Sequence, residues 1–206
     1  MKLLVATSNP GKVHEFRELL GTALPEGTEL FTLAELKIEA SDETGTSFAE
    51  NAAEKAREGA IASGLWTIGD DSGLCVDALD GAPGLKSARY AATDAERRTK
   101  LLAALLRTPD GRRGAHFECA LALASPDGRR LYRAEGRVDG SIAGAPRGSN
   151  GFGYDPIFLP EEAAGRTLAE LNAAQKNNLS HRGRAARRLQ PLLARLLREG
   201  DLPENP

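Results

Sequence analysis

The chain reads as an α/β protein, a mixed β-sheet with flanking helices. Three patterns carry that reading. Short apolar runs alternate with amphipathic stretches through the first half: Leu3-Leu4-Val5-Ala6 precedes one over residues 13–20, and Trp66-Thr67-Ile68-Gly69 follows an alanine-rich one. Phe117, Cys119, Leu121 and Leu123 then alternate with smaller residues, and Ser125-Pro126-Asp127-Gly128 turns the chain into a partner run over 131–138. Finally, 206 residues with 41% hydrophobic content suffice for one sizeable core.

Each element has a local cause. The first strand, at residues 3–6, leads through a polar loop into a helix over 13–20, and Glu29-Leu30-Phe31-Thr32 is a second short strand. Ser47-Phe48-Ala49-Glu50 is a capping box, Ser at N-cap and Glu at N3, opening a helix that runs to Ser63 and stops at Gly64. A strand over 66–69 follows. Thr93 and Glu96 cap another helix through Leu106. After the hairpin, Pro156-Ile157-Phe158-Leu159 is one more strand, and Ser180 caps a last helix with Ala185, Leu189, Leu192, Leu193 and Leu196 on its apolar side. Residues 1–199 read as a single two-lobed domain and 200–206 as a short frayed tail.

Composition excludes several function classes. A net charge of −2 gives no general attraction to nucleic acid or anionic membrane. No apolar run approaches the roughly 20 residues that span a bilayer, and no signal-peptide pattern opens the chain. Cys75 and Cys119 form neither a disulfide framework nor a zinc spacing motif, which favours a reducing, cytoplasmic setting.

Four phrases carry chemistry. Thr7-Ser8-Asn9-Pro10-Gly11-Lys12 joins strand to helix, aims backbone N–H groups at one point and adds a positive charge, which suits a polyphosphate. It is not a P-loop, because Val13 stands where that motif places a hydroxyl. The bland alternative is an ordinary Asn-Pro-Gly turn. Asp70-Asp71-Ser72-Gly73 follows the strand ending at Gly69; with the acidic pair Asp42-Glu43 it suits hard Mg²⁺ held by carboxylates, phosphate oxygens and water. Solvated turn acids are the alternative. Gly151-Phe152-Gly153-Tyr154-Asp155-Pro156 is no dinucleotide loop, since Pro156 replaces the third Gly and a strand follows. Its aromatics can stack on a purine, or plug the core. Ser180-His181-Arg182-Gly183 puts two cations in the first turn of a helix, against its dipole, so an electron-rich group should compensate them. Arg187, Arg188, Arg195 and Arg198 read instead as a solvated helix face.

Together these phrases resemble the inosine/xanthosine triphosphate pyrophosphatases, a family that clears non-standard purines from the nucleotide pool. The likeness extends from Leu3 to Leu197 and includes Glu43-Thr44-Gly45, Glu50-Asn51-Ala52, Gly81-Ala82-Pro83-Gly84 and Ser87-Ala88-Arg89-Tyr90. It implies two lobes around a central cleft, a homodimer, and Mg²⁺-dependent hydrolysis of ITP, dITP or XTP to the monophosphate and pyrophosphate. Thr7, Ser8, Asn9, Pro10, Gly11 and Lys12 would hold the phosphates. Asp71 would accept the proton and share the metal with Asp42, or with Glu43 in its place. Ser72 would touch substrate. Phe152, Gly153, Tyr154 and Asp155 would border the base, which Lys176, His181 and Arg182 would recognise. Ala174-Gln175 stands where relatives often carry acids.

Selectivity follows from side-chain chemistry. In the role the resemblance implies, Arg182, which only donates hydrogen bonds, would satisfy a 6-oxo purine and leave the 6-amino group of adenine facing another donor. Water attack at the α-phosphorus fits better than a covalent intermediate, because no Ser or Cys stands beside a base. Two other readings are a pyrophosphatase for modified pyrimidine nucleotides and a nucleotide sensor without turnover.

Overall fold

The computed structural model describes residues 2–21, 24 and 28–199; the tail expected at 200–206 lies outside them. Its elements are β1 (Lys2–Ala6), α1 (Pro10–Gly21), β2 (Glu29–Thr32), α2 (Phe48–Ser63), β3 (Trp66–Val76), α3 (Asp94–Ala104), β4 (Gly114–Ala124), β5 (Leu131–Ile142), β6 (Phe158–Pro160), α4 (Ala173–Leu179) and α5 (His181–Glu199). One six-stranded sheet has the order β2-β1-β3-β4-β5-β6. β1 pairs in parallel with β2 and β3, whereas β5 and β6 are antiparallel. The mixed sheet is the fold class expected. Among the described residues no helix is long and apolar enough to cross a membrane.

The chain divides into two compact units. The first takes in Met1–Asp71, Ala120–Glu135 and Ala185–Pro206. Its core sets Ala52, Ala53, Ala56 and Ala60 of α2 against Ala120, Ala122 and Ala124 of β4. The small side chains let α2 lie close to the sheet. A Cβ on Gly69 of β3 would fall 2.1 Å from the Ala52 carbonyl oxygen and 2.7 Å from the Ala56 nitrogen. Close approach is therefore written into Gly69 and the alanines spaced four apart. Ser47 caps α2 by accepting the Glu50 N–H, and Gly64 ends it in the left-handed region at φ 68°. The Glu50 carboxylate, expected to close the box on Ser47, reaches one residue further and takes the Thr46 N–H and Oγ at 2.7 and 2.8 Å.

The second unit takes in Ser72–Cys119 and Gly136–Arg184. Leu74, Val76, Leu101, Phe117, Val138, Ile157, Phe158 and Leu168 are among the residues of its larger aliphatic and aromatic core. α3 carries the full capping box between Thr93 and Glu96 and ends at Ala104, short of Leu106, which is 80% exposed. Pro156 and Ile157, expected to begin a strand, lie in a 3₁₀ turn at Asp155–Ile157, and β6 starts at Phe158. Proline lacks the N–H that a paired strand position needs.

β3 is the other correction. It does not end at Gly69 but runs eleven residues to Val76, with Asp70-Asp71-Ser72-Gly73 inside it. The alternative of solvated turn acids fails with it: Asp70 is 1% exposed and Asp71 5%.

Candidate active site

In the first unit, strand alternation sends adjacent aspartates to different partners. Asp70 pairs with the Lys12 ammonium of α1. Lys12 is thus no freely mobile charge. Asp71 faces α2, where Lys55 donates to its Oδ1 at 2.9 Å and Asn51 to its Oδ2 at 2.9 Å. The Lys55 ammonium also donates to Glu43 Oε1 at 2.5 Å and to the Asp70 carbonyl at 3.3 Å. Asn51 and Lys55 stand one helical turn apart, on the part of α2 pressed against β3.

The loop before α2 is clamped so that Glu43 arrives at this point. Asn51 Oδ1 accepts the Gly45 N–H at 2.8 Å, and Thr44 Oγ donates to Glu54 at 3.2 Å. A Cβ on Gly45 would come within 2.7 Å of Asn51 Oδ1, so only glycine fits there. Asp42, the first choice from sequence for a metal acid, is exposed, and it is Glu43 that shares the Lys55 ammonium with Asp71. Burial pushes the Asp71 carboxyl above the usual carboxylate range, opposed by the positive charge of Lys55 and the Asn51 hydrogen bond. Lys55 is held above its ordinary value despite desolvation, because Asp71 and Glu43 favour its ammonium form.

The second half of the phosphate-loop phrase is helix. α1 begins at Pro10, and Asn9 is its cap: Asn9 Oδ1 accepts the Gly11 and Lys12 N–H groups at 2.9 and 3.2 Å. Pro10 sits at the first helical position, where its missing N–H costs nothing. The Asn9 N–H in turn donates to Thr7 Oγ at 3.2 Å. Ser8 and Pro10 are exposed; Thr7, Asn9, Gly11 and Lys12 are half-buried. The plain Asn-Pro-Gly turn is therefore replaced by a capped helix start. Two of its N–H groups are occupied by the Asn9 side chain.

In the second unit, Asp155 and Lys176 pair at 2.5 Å, both about 5% exposed. Asp155 also accepts the Phe152 N–H at 2.8 Å. A Cβ on Gly151 would lie 2.1 Å from Asp155 Oδ2, and Gly151 has φ 74°, so the turn demands glycine twice over. Gly153 is pinned through its N–H to Asp94 and through its carbonyl to Arg98. The Phe152 ring is half-buried, with the Lys176 ammonium 4.8 Å and the Arg182 guanidinium 5.8 Å from its centroid. Tyr154 differs: its ring belongs to the core, its hydroxyl donates to the Ser87 carbonyl at 3.0 Å, and burial raises its pKa. Between plugging the core and offering a ring to a ligand, Tyr154 does the first.

Ser180 separates α4 from α5 and accepts the Gly183 N–H at 3.1 Å. A Cβ on Gly183 would fall 1.8 Å from the Asn177 carbonyl, so this glycine lets the two helices turn tightly. The turn puts Lys176, His181 and Arg182 in one buried neighbourhood. His181 stacks on Phe117 at 4.6 Å and 6°, and Arg182, 2% exposed, donates to Ser72 Oγ at 2.8 Å. The compensating group sought for Arg182 includes that hydroxyl. Sequence reasoning missed Lys55 as a site residue, and quoted Asn51 without a role. Their signal was present: a polar pair at i,i+4 beside an alanine stripe.

The Ham1 family model matches residues 3–192. A dITP/XTP pyrophosphatase of Gloeobacter violaceus is 52% identical over 187 residues, 91% of either chain. One from Mycobacteroides abscessus is 48% identical over 204 residues, 97% of this chain and 98% of its own. Among solved structures, a HAM1 protein from Coxiella burnetii aligns with TM-score 0.82 and 41% identity, covering 95% of this chain and 99% of that one.

Proposed function

This chain belongs to the Ham1 family, and we propose that it hydrolyses non-standard purine nucleoside triphosphates, ITP, dITP or XTP, to the monophosphate and pyrophosphate. The observation that carries the chemistry is the convergence of Asp71 and Glu43 on one cation, the Lys55 ammonium. Two hard carboxylates gathered around a positive charge fit Mg²⁺. Asp71 and Glu43 would hold that ion, which when bound neutralises phosphate oxygens and makes water more acidic.

The remaining steps belong to the chain. Asp71 accepts the proton of the water that attacks the α-phosphorus, and its raised pKa suits a base. Lys55 and Asn51 fix the orientation of the Asp71 carboxylate. Lys12 and the Thr7 and Ser8 hydroxyls meet the phosphates, and turning Asn9 away frees two backbone donors for them. The Phe152 face and the Lys176, His181 and Arg182 donors meet the base, with Ser72 beside Arg182. Residues 1–199 act as one catalytic domain. A homodimer and a cytoplasmic setting belong to the same reading, the latter supported by neither Cys75 nor Cys119 being in a disulfide.

The test is pyrophosphate release from ITP, dITP, XTP, GTP, ATP and modified pyrimidine triphosphates, with and without Mg²⁺. Fast release from the first three that requires the metal is the expected result. Preference for a pyrimidine, or binding without turnover, would replace this reading.

A further inference from the structure

Cys75 of β3 and His116 and Glu118 of β4 form a cluster in the second unit that the proposed hydrolysis does not use. Their ligand atoms all lie within 4.8 Å of one another. β3 and β4 are neighbours in the sheet. Residues 116 and 118 are two apart on one strand, so they share a face, while Ala115 and Phe117 between and beside them point into the core. Cys75 likewise alternates with the buried Leu74 and Val76. The three side chains thus stand on the half-buried face of the sheet, where an ion can reach them.

We propose that Cys75, His116 and Glu118 bind a borderline divalent ion, zinc in the first place, leaving a fourth position for water. The donor set is one sulfur, one imidazole nitrogen and one carboxylate oxygen, which suits Zn²⁺ and is foreign to Mg²⁺. Spacing agrees. Tetrahedral zinc with ligands at about 2.0–2.3 Å sets neighbouring donor atoms about 3.3–3.8 Å apart. His116 Nε2 and Glu118 Oε1 already stand at 3.3 Å. The remaining separation is closed by side-chain rotation of about 1 Å, within the range of ordinary rotamer adjustment. Arg137 is an opposing cation at the cluster; its short contacts, at 2.9 and 2.7 Å, go to Asp139, and it touches Glu118 at 3.4 Å. Asp77 adds a second carboxylate charge felt at Cys75. On binding, the Cys75 S–H bond breaks, an S–Zn bond forms, and the proton leaves to solvent.

Cobalt titration of the full chain tests this directly, because a thiolate–cobalt bond gives a charge-transfer band that carboxylate-only sites lack. One Co²⁺ per chain should produce the band, and Zn²⁺ should abolish it by displacement. Zn²⁺ should also protect Cys75 from alkylation, read by mass spectrometry with the buried Cys119 as internal reference. Cys75→Ser should lose the band, and His116→Gln and Glu118→Gln should each weaken binding at least about tenfold. Cobalt binding without a thiolate band, or a Cys75 alkylation rate unchanged by saturating Zn²⁺, would overturn the site. So would equal protection by Mg²⁺, since that ion does not take a thiolate.

Discussion

Around Asp71, three carboxylates share two ammonium groups: Asp70 with Lys12, and Asp71 and Glu43 with Lys55. Around Arg182 the polar groups include one ion pair, Asp155 with Lys176, and the Arg182 guanidinium donating to the Ser72 hydroxyl. The first site gathers carboxylates on ammonium groups, and the second sets cations beside the Phe152 ring. Both depend on glycines where a Cβ would collide, Gly45 and Gly69 at the first and Gly151 and Gly183 at the second. They differ in what the charges do. At the acidic site the protonation of Asp71 responds to Lys55 and Asn51, whereas Arg182 meets a neutral hydroxyl. Changes at the carboxylates should therefore show in pH and metal dependence, and changes at Arg182 in ligand discrimination.

The largest effect should come from Asp71→Asn. The near-isosteric amide removes the proton acceptor, and kcat/KM for ITP should fall about 10²–10⁴-fold, the usual worth of a general base. Circular dichroism should show an intact fold. A folded variant with near-normal turnover would remove Asp71 from the chemistry.

Arg182→Ala tests the other site. Losing a charged hydrogen bond to the 6-oxo group costs about 1.5–3 kcal/mol, about ten- to a hundred-fold in kcat/KM for ITP. ATP hydrolysis, which lacks that bond, should fall little. Thermal melting must confirm that the variant is folded at the assay temperature, because Arg182 is buried. Equal losses on ITP and ATP would move Arg182 from base reading to phosphate binding or structure.

Asp42 and Glu43 differ by one position and are separated by a smaller effect. Glu43→Gln should raise the Mg²⁺ concentration needed for half-maximal activity about tenfold or more, as loss of a carboxylate ligand or its support does. Asp42→Asn, at an exposed position, should leave it almost unchanged. The reverse order would return the metal to Asp42.

The smallest effect is a displaced pH profile. Asp71 acts as a base only when ionised, so kcat/KM should rise with pH through its raised pKa. Lys55 favours the ionised form. Lys55→Met should therefore shift the acidic limb to higher pH, whereas Arg182→Ala should leave that limb in place. An unmoved limb in Lys55→Met would assign the acidic titration to another group.

Local physics made much of this legible. The Ser47 and Thr93 caps, the Gly64 stop, the short β2 and the hairpin turn at Ser125 depend on neighbours in sequence, and the structure has them where those residues predict. The site phrases were legible as residue types for the same reason, since phosphate, metal and purine each demand particular side chains. Asn9 as a cap was local too, but Asn-Pro-Gly serves turns and helix starts alike, and the helix that follows decides between them.

By itself the sequence determined the mixed sheet, both ends of α2, the starts of α3 and α5, and the acids, cations and aromatics available for chemistry, whereas α4 was not legible in it. Tertiary structure decided what they do. β3 runs through Asp70 and Asp71 because its pairing and burial outweigh the low strand preference of aspartate. Glu43 rather than Asp42 shares Lys55 with Asp71 in a loop that Gly45 ties to Asn51, and Lys55 lies on α2, which Gly69 lets approach β3 closely. Tyr154 goes to the core and Phe152 does not, although they are two residues apart. Cys75 has no metal spacing in sequence, yet adjacent strands set it beside His116 and Glu118. Each of these outcomes turns on a distance of a few ångströms between residues far apart in the chain, and such distances are fixed by packing, not by order in the sequence.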